Sequence, residues 1–370
     1  KLCNTESDMA NILHAQKEEA NIGFSKYIKS NYLRWVSPAS SQKDSLYKSR
    51  TNLNNQINKH DDDIPMLSPD IFKKKVLPLL NNGEKVFLIL LDNFRYDQWL
   101  VLSPEFGDLF DIDEDLYFSI LPTATQYSRN AIFSGLMPNK IAELFPDLWV
   151  SEEDDNGKNL NESSLIQTQL DRYRNHHSFS YNKINDSADA EKFLHQFHGL
   201  ERNDLNVVVF NFIDMLSHAR TESKMMRELA NTESAYRSIT LSWFKHSVMN
   251  ELFKVLSNSD YKIVVTTDHG SILVNKPIKI IGEKHTNKNL RYKLGKNLSY
   301  DPKDVFTIQD PLKAQLPAPN LSTKYVFGLG GTFFAYPNNY NYYVSYYKDT
   351  FQHGGISMEE KIIPIITLTK

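Results

Sequence analysis

The chain has 370 residues, a formal net charge of −3 and 24% charged residues. That length accommodates two or three domains, or one large α/β domain whose core needs no covalent staple. One cysteine, Cys3, excludes an intrachain disulfide and a cysteine-rich zinc site. The charge balance excludes a generally basic nucleic-acid coat protein, though not a local anion site. No apolar run approaches the roughly 18 residues that span a bilayer, and no charged–apolar–small signal segment opens the chain. It begins at Lys1 rather than Met, as expected of a fragment or a processed form. The broad expectation is a cytoplasmic α/β protein.

Residues 1–80 form a helical segment and linker. Apolar and polar residues mix at helical spacing from Ile12 to Trp35, and a polar stretch follows from Ser37 to Asp63. A second helical signal starts at Ser68-Pro69-Asp70, with a capping residue and a proline in the first turn, and stops near Asn81-Asn82-Gly83. Residues 81–370 form the main domain. Val86–Leu91, Val207–Phe212 and Ile263–Thr266 are unbroken apolar runs of strand length, and Ile362–Leu368, interrupted by Pro364, is expected as a fourth strand nearer an edge. Such β-branched runs point to strands covered on both faces, hence an α/β fold with a mostly parallel central sheet and helices on both faces. Helices are expected over Ser128–Ser134, Ala188–His198 and Glu222–Leu256. The acidic, Asn-rich Ser151–Ser164 reads as a surface loop, and the tyrosine-rich Tyr336–Tyr347 as a packing or surface segment.

Each of the three strongest runs leads into a carboxylate: Asp92, Asp214 and Asp268. Sites in open α/β sheets form outside the carboxyl ends of the strands. Three acids gathered there repel one another unless a cation balances them, although each alone is equally a helix cap or turn former. His218 follows Asp214 by four residues, His269 follows Asp268 directly, and His353 sits in a Gln-His-Gly-Gly turn. Imidazole with carboxylate favours zinc, with manganese as the borderline choice. The fourth element, Pro122-Thr123-Ala124-Thr125-Gln126-Tyr127-Ser128-Arg129, is a polar turn entering a helix. A hydroxyl there faces free N–H groups and the positive end of the dipole, which suits a phosphate or sulfate. A metal on the oxygen would make a threonine hydroxyl a nucleophile. The other reading of Thr123 and Thr125 is that they are helix caps.

Taken in order, these residues resemble the alkaline phosphatase superfamily, and more closely its PglZ-domain branch. The resemblance runs from about Lys85 to Lys370. It rests on Asp92-Asn93-Phe94-Arg95, on the Thr125 to Gly135 spacing with Ser128-Arg129, on Asp214 with His218, on Asp268-His269-Gly270, and on His353-Gly354. It implies two zinc ions, one held by Asp92, Thr125, Asp268 and His269, the other by Asp214, His218 and His353. It prefers Thr125 to Thr123 as the nucleophile and departs at Asn93, where many members have glycine; an asparagine there would hydrogen-bond a substrate oxygen. A helical, polar N-terminal segment before such a domain is also similar to response regulators of type IX secretion. That likeness implies a receiver domain ahead of Lys1 and regulatory partners: a sensor kinase, a sigma factor and secretion-system components. A homodimer is a further expectation.

The activity so implied is a phosphodiesterase or phosphatase in which Arg129 and the helix N-terminus stabilise charge on the transferring group. Its substrate would be a nucleotide or oligonucleotide phosphodiester. Between Asn275 and Asn297 lie seven Lys or Arg against one acid, Glu283. His285, Arg291 and Tyr292 in this stretch are candidates for holding the substrate's remote arm, and a solvated Lys-rich loop is the other reading. The competing function is a signalling effector whose metal site is structural or binds a nucleotide without turnover, its output being protein contact.

Overall fold

The structure is a computed structural model, and it describes residues 7–37, 64–152, 157–230, 232–282 and 287–370. Most of the Ser37–Asp63 stretch, together with Lys284 and His285, lies outside the described residues.

The apolar runs form strands because each alternate side chain finds a separate core. In Lys85–Leu91 (β1), Phe87, Ile89 and Leu91 enter one cluster with Trp99, Phe193, Phe244 and Phe253, while Val86, Leu88 and Leu90 enter another with Phe72, Leu80, Phe133 and Ile166. A strand covered on both faces has no polar alternation to show. β1 pairs in parallel with Leu205–Phe210 (β4) and Tyr261–Thr266 (β5), and Phe179–Ile184 (β3) adds in parallel outside β4. Asp111–Phe118 (β2) and Ile362–Thr369 (β13) complete a six-stranded sheet of order β2-β13-β5-β1-β4-β3. β13 alone runs opposite to the other five strands.

Two strand assignments differ from the sequence reading. β13 is not at an edge: it lies between β2 and β5. Pro364 is tolerated because the ladder to β5 begins only at Ile365, and the Pro364 carbonyl accepts a bond from Thr266 Oγ1 (2.9 Å). The true edge is β2, Asp-Ile-Asp-Glu-Asp-Leu-Tyr-Phe, which is exposed along most of its length. Its acids conceal it from a hydrophobicity scan, and charge on an edge strand discourages pairing with another chain. The long helical expectation over 222–256 breaks into separate helices, including Glu233–His246 and Val248–Leu256. Ser247, with extended backbone, separates these two.

The N-terminal helix Ser7–Val36 packs into the body of the fold. Its Ile28, Tyr32 and Trp35 join a buried cluster with Leu121, Ala124, Tyr127 and Tyr325. Tyr32 Oη accepts the Leu121 N–H (2.7 Å), and Asn21 accepts the Met358 N–H (2.9 Å). Lys17 bridges Glu233 (2.7 Å) and Glu359 (2.8 Å). The helix therefore ties the segment before Thr125 to the segment after His353.

Three small sheets extend the fold: an antiparallel trio of Tyr292–Gly295 (β8), Lys324–Gly328 (β10) and Val305–Ile308 (β9), and the pairs Thr332–Ala335 (β11) with Lys276–Lys279 (β7) and Thr350–Gln352 (β12) with Ile272–Val274 (β6).

Candidate metal centre

β1 and β5 run in the same direction, so their carboxyl ends deliver Asp92 and Asp268 to one edge. β4 ends beside them at Phe210. Asp214 is not at a strand end: it lies in the first turn of the helix Phe212–Glu222. The helical pitch then sets His218 one turn on, its Nε2 3.4 Å from Asp214 Oδ2. Asn93 turns the chain back sharply after Asp92 at φ 61°, a left-handed conformation that asparagine tolerates better than most residues. His353 is aimed by the turn after β12. There Gly354 has φ 120°; after β5, a side chain on Gly270 would meet the Glu359 carbonyl at 2.1 Å.

Two triads result, Asp92–Asp268–His269 and Asp214–His218–His353. In each, one donor atom per residue lies within 4.8 Å of the others. The first triad is buried, whereas the His218 side chain is 64% exposed and marks the open side. The triads adjoin. The His269 and His353 rings stack with centroids 4.2 Å apart. Asn93 spans the gap: its N–H donates to Asp268 Oδ1 (3.3 Å) and its Nδ2 to Asp214 Oδ1 (3.1 Å). Its amide thus aligns carboxylates rather than reaching outward.

Thr125 opens the helix Thr125–Ser134. Its Oγ1 lies 3.1 Å from His269 Nε2 and 3.4 Å from Asp92 Oδ1. Thr123 is buried, and its hydroxyl is committed: it donates to the Gly355 carbonyl and accepts the Gly354 N–H, both at 3.0 Å. It pins the turn that carries His353.

Arg129 sits one helical turn after Thr125 and points inward. It is 1% exposed, contacts Asp92, donates to Asp268 Oδ2 (2.9 Å), and pairs with Glu162 (3.3 Å). It binds the carboxylates of the first triad, so the expected direct contact with a transferring group gives way to a positioning role. Arg291 is fully buried and pairs with Glu360 (2.7 Å). Tyr292 and Lys293 beside it are also buried. These three do not form an outward substrate surface, because the β8–β10 pairing folds them under the chain. His285 lies outside the described residues. Sequence reasoning missed Glu162, placed in an expected surface loop. It is 1% exposed at the start of the helix Glu162–Arg172, where it anchors Arg129 and Lys183. Nothing local distinguishes it from the other acids of that stretch.

The electrostatics fit a cation site. Burial pushes the Asp92 carboxyl well up, Arg129 pulls it back, and Asp268 and Asp214 push it up again. This surplus of negative charge is what a bound cation relieves. Burial also works to raise Asp214, but His218, His353 and His269 outweigh it and hold it low. Burial and the His269 ring lower His353 to about 3, keeping it neutral and free to ligate. Three N and O donors per triad, with one side open, match a site that keeps a position for substrate.

An open α/β sheet with paired carboxylate–imidazole triads and a helix-borne hydroxyl at its carboxyl edge defines the class: an alkaline phosphatase-like phosphoesterase fold. Residues 71–368 match the family described as the BREX system PglZ alkaline phosphatase-like domain, and the chain belongs to that family. Residues 1–36 match the PorX response regulator linker domain. Among curated relatives, the alkaline phosphatase-like protein PglZ of Bacillus cereus (strain H3081.97) is 22% identical over 311 residues, which are 80% of this chain and 32% of that protein. The chain thus spans about a third of that relative's length. Murine ectonucleotide pyrophosphatase/phosphodiesterase 5 shares the fold at 12% identity and a TM-score of 0.50, covering 77% of this chain and 88% of that one. The human protein of that name gives 13%, 0.48, 77% and 87%. Among the described residues no helix is long and apolar enough to cross a membrane.

Proposed function

We propose that residues 81–370 form a two-metal phosphodiesterase with Thr125 as nucleophile, acting on a nucleotide-like phosphodiester. The observation that carries this reading is the position of Thr125 Oγ1. It lies at a helix N-terminus, 3.1 Å from His269 Nε2 and 3.4 Å from Asp92 Oδ1, and the His269 ring stacks on His353 of the second triad. Asp92, Thr125, Asp268 and His269 would hold one ion and Asp214, His218 and His353 the other, zinc being preferred and manganese acceptable by donor type. When bound, such ions lower the pKa of a coordinated hydroxyl and offset negative charge on a phosphoryl group.

The protein's own groups do the rest. The Thr125 oxygen forms the new bond to phosphorus as the bond to the first ester oxygen breaks, and the hydroxyl proton departs with that oxygen as an alcohol. Water then releases the second product and restores the hydroxyl. The free N–H groups of the first turn face the phosphoryl oxygens. Arg129 holds Asp92 and Asp268 apart from each other and in register. Asn93 couples the two triads.

A diester carries one negative charge. A monoester dianion asks for further positive charge, and Arg129 is already committed to three carboxylates. The test is kcat/KM for bis-p-nitrophenyl phosphate against p-nitrophenyl phosphate, in wild type and in Thr125→Val. The diester is expected to be preferred and the variant inactive. A tenfold preference for the monoester, about 1.4 kcal/mol in the barrier, would refute the assignment.

The match of residues 1–36 to a response-regulator linker supports a second reading. In it the domain is the output of a cytoplasmic two-component regulator of type IX secretion, with protein partners and a metal site that binds a nucleotide without turnover. Nucleotide binding with neither diester nor monoester hydrolysed would favour it.

A further inference from the structure

The helix Tyr340–Tyr347 carries five tyrosines in eight residues, Tyr-Asn-Tyr-Tyr-Val-Ser-Tyr-Tyr, and none of its residues is fully buried. Val344 and Tyr347 touch the core, but Tyr342 is 64% and Tyr343 38% exposed. Burial therefore does not account for this concentration of rings. The rings are ordered: Tyr342 lies parallel to Tyr346 (6.1 Å, 18°) and Tyr343 to Tyr347 (6.2 Å, 11°). The i,i+4 spacing builds two short parallel stacks on the helix surface.

Cations flank them. Lys279 Nζ lies 5.2 Å from the Tyr340 ring at the helix N-terminus. At the other end Asp349 N–H donates to the Val274 carbonyl (2.7 Å), two residues before the exposed Lys276 of β7, and Lys348 is exposed as well. Strand β12 joins this end to His353, and the four residues from Asp349 to His353 span roughly 13 Å if extended. The platform and the metal centre thus share one strand.

We infer that the Tyr340–Tyr347 helix, with Lys276 and Lys279, is a stacking platform for a single-stranded nucleic acid whose phosphodiester reaches the metal centre. Base faces stack on tyrosine rings without regard to sequence, and lysines beside them track the phosphates. This deepens the proposed function by assigning the remote arm of the substrate. It replaces the Arg291–Lys293 stretch, which is buried.

The test is fluorescence anisotropy of a labelled twelve-nucleotide single strand on the Thr125→Val chain, which separates binding from turnover. Adding Tyr342→Ala and Tyr343→Ala should weaken binding by about tenfold or more. Tyr342→Phe with Tyr343→Phe should restore it, since stacking needs the ring and not the hydroxyl. Lys276→Gln with Lys279→Gln should flatten the dependence of log affinity on log salt. In chains that keep Thr125, the tyrosine changes should leave kcat/KM for bis-p-nitrophenyl phosphate unaltered. An affinity unchanged by the two alanines, or a wild-type chain that binds no strand, overturns the platform. Failure to hydrolyse the chromogenic diester, with strand binding still dependent on the rings, counts against the catalytic reading and supports the platform.

Discussion

Replacing Arg129 by Met probes the charge balance of the Asp92–Asp268–His269 triad without opening a large cavity. The guanidinium is 1% exposed and serves Asp92, Asp268 and Glu162, themselves 6%, 0% and 1% exposed. Removing one partner of a buried ion pair costs roughly 3–5 kcal/mol, because the charge left behind is uncompensated. Unfolding entropy of roughly 2.1 cal/mol/K per residue gives about 0.8 kcal/mol/K over a chain of this length. The midpoint of thermal unfolding should therefore fall by about 4–6 °C when metal is chelated. Excess zinc should shrink that difference, since a cation at the Asp92–Asp268–His269 triad replaces the lost charge. Thermal circular dichroism of wild type and Arg129→Met, with chelator and with zinc, measures both quantities. Equal midpoints under chelation would refute the argument. So would a larger deficit in zinc than in chelator, since the two cations would then not be exchanging roles.

Three further expectations follow from the same contacts. His353→Ala should lower metal content by about one ion per chain from about two, read by mass spectrometry of the native protein; full retention would remove His353 from the ligand set. Tyr32→Phe keeps the ring under the Lys361 amine but strands the buried Leu121 N–H. It should cost roughly 1–3 kcal/mol, and an unchanged midpoint would mean that the N-terminal helix does not support the loop before Thr125. Burial works to raise the Asp97 carboxyl, yet Arg95 and Arg237 outweigh it and hold it down to about 2 against an ordinary 3.8. The sign for a depressed carboxylate is that its stabilisation is present above the unfolded value and lost as pH falls through the folded one. Stability should drop between about pH 4 and 2, and Asp97→Asn should flatten that part of the curve.

How far the sequence reached can be read from particular residues. Val86–Leu91 and Ile263–Val265 are legible because a strand buried on both faces must be apolar throughout, and the acids that follow β1 and β5 stand out against such runs. The site histidines were legible through spacing, four residues from Asp214 to His218 and one from Asp268 to His269. β2 was not, because an exposed edge strand has no need of apolar residues. Pro364 suggested an edge, since sequence shows a missing donor but not where each ladder begins. Arg129 and Arg291 look alike in sequence to cations that meet substrate. Their real partners, Asp92, Asp268 and Glu162 for one and Glu360 for the other, come from separate elements.

The sequence by itself determined the layered α/β fold and the residue types gathered at the carboxyl edge of the sheet, because both are written in local pattern. Only the tertiary structure decided which cations turn inward. It set the two groups of acids and histidines side by side, linked through Asn93, and left the tyrosine helix facing outward. Those outcomes depend on strand order and on contacts between residues more than a hundred positions apart, such as Asn93 with Asp214 and with Asp268. Local pattern carries no information about either.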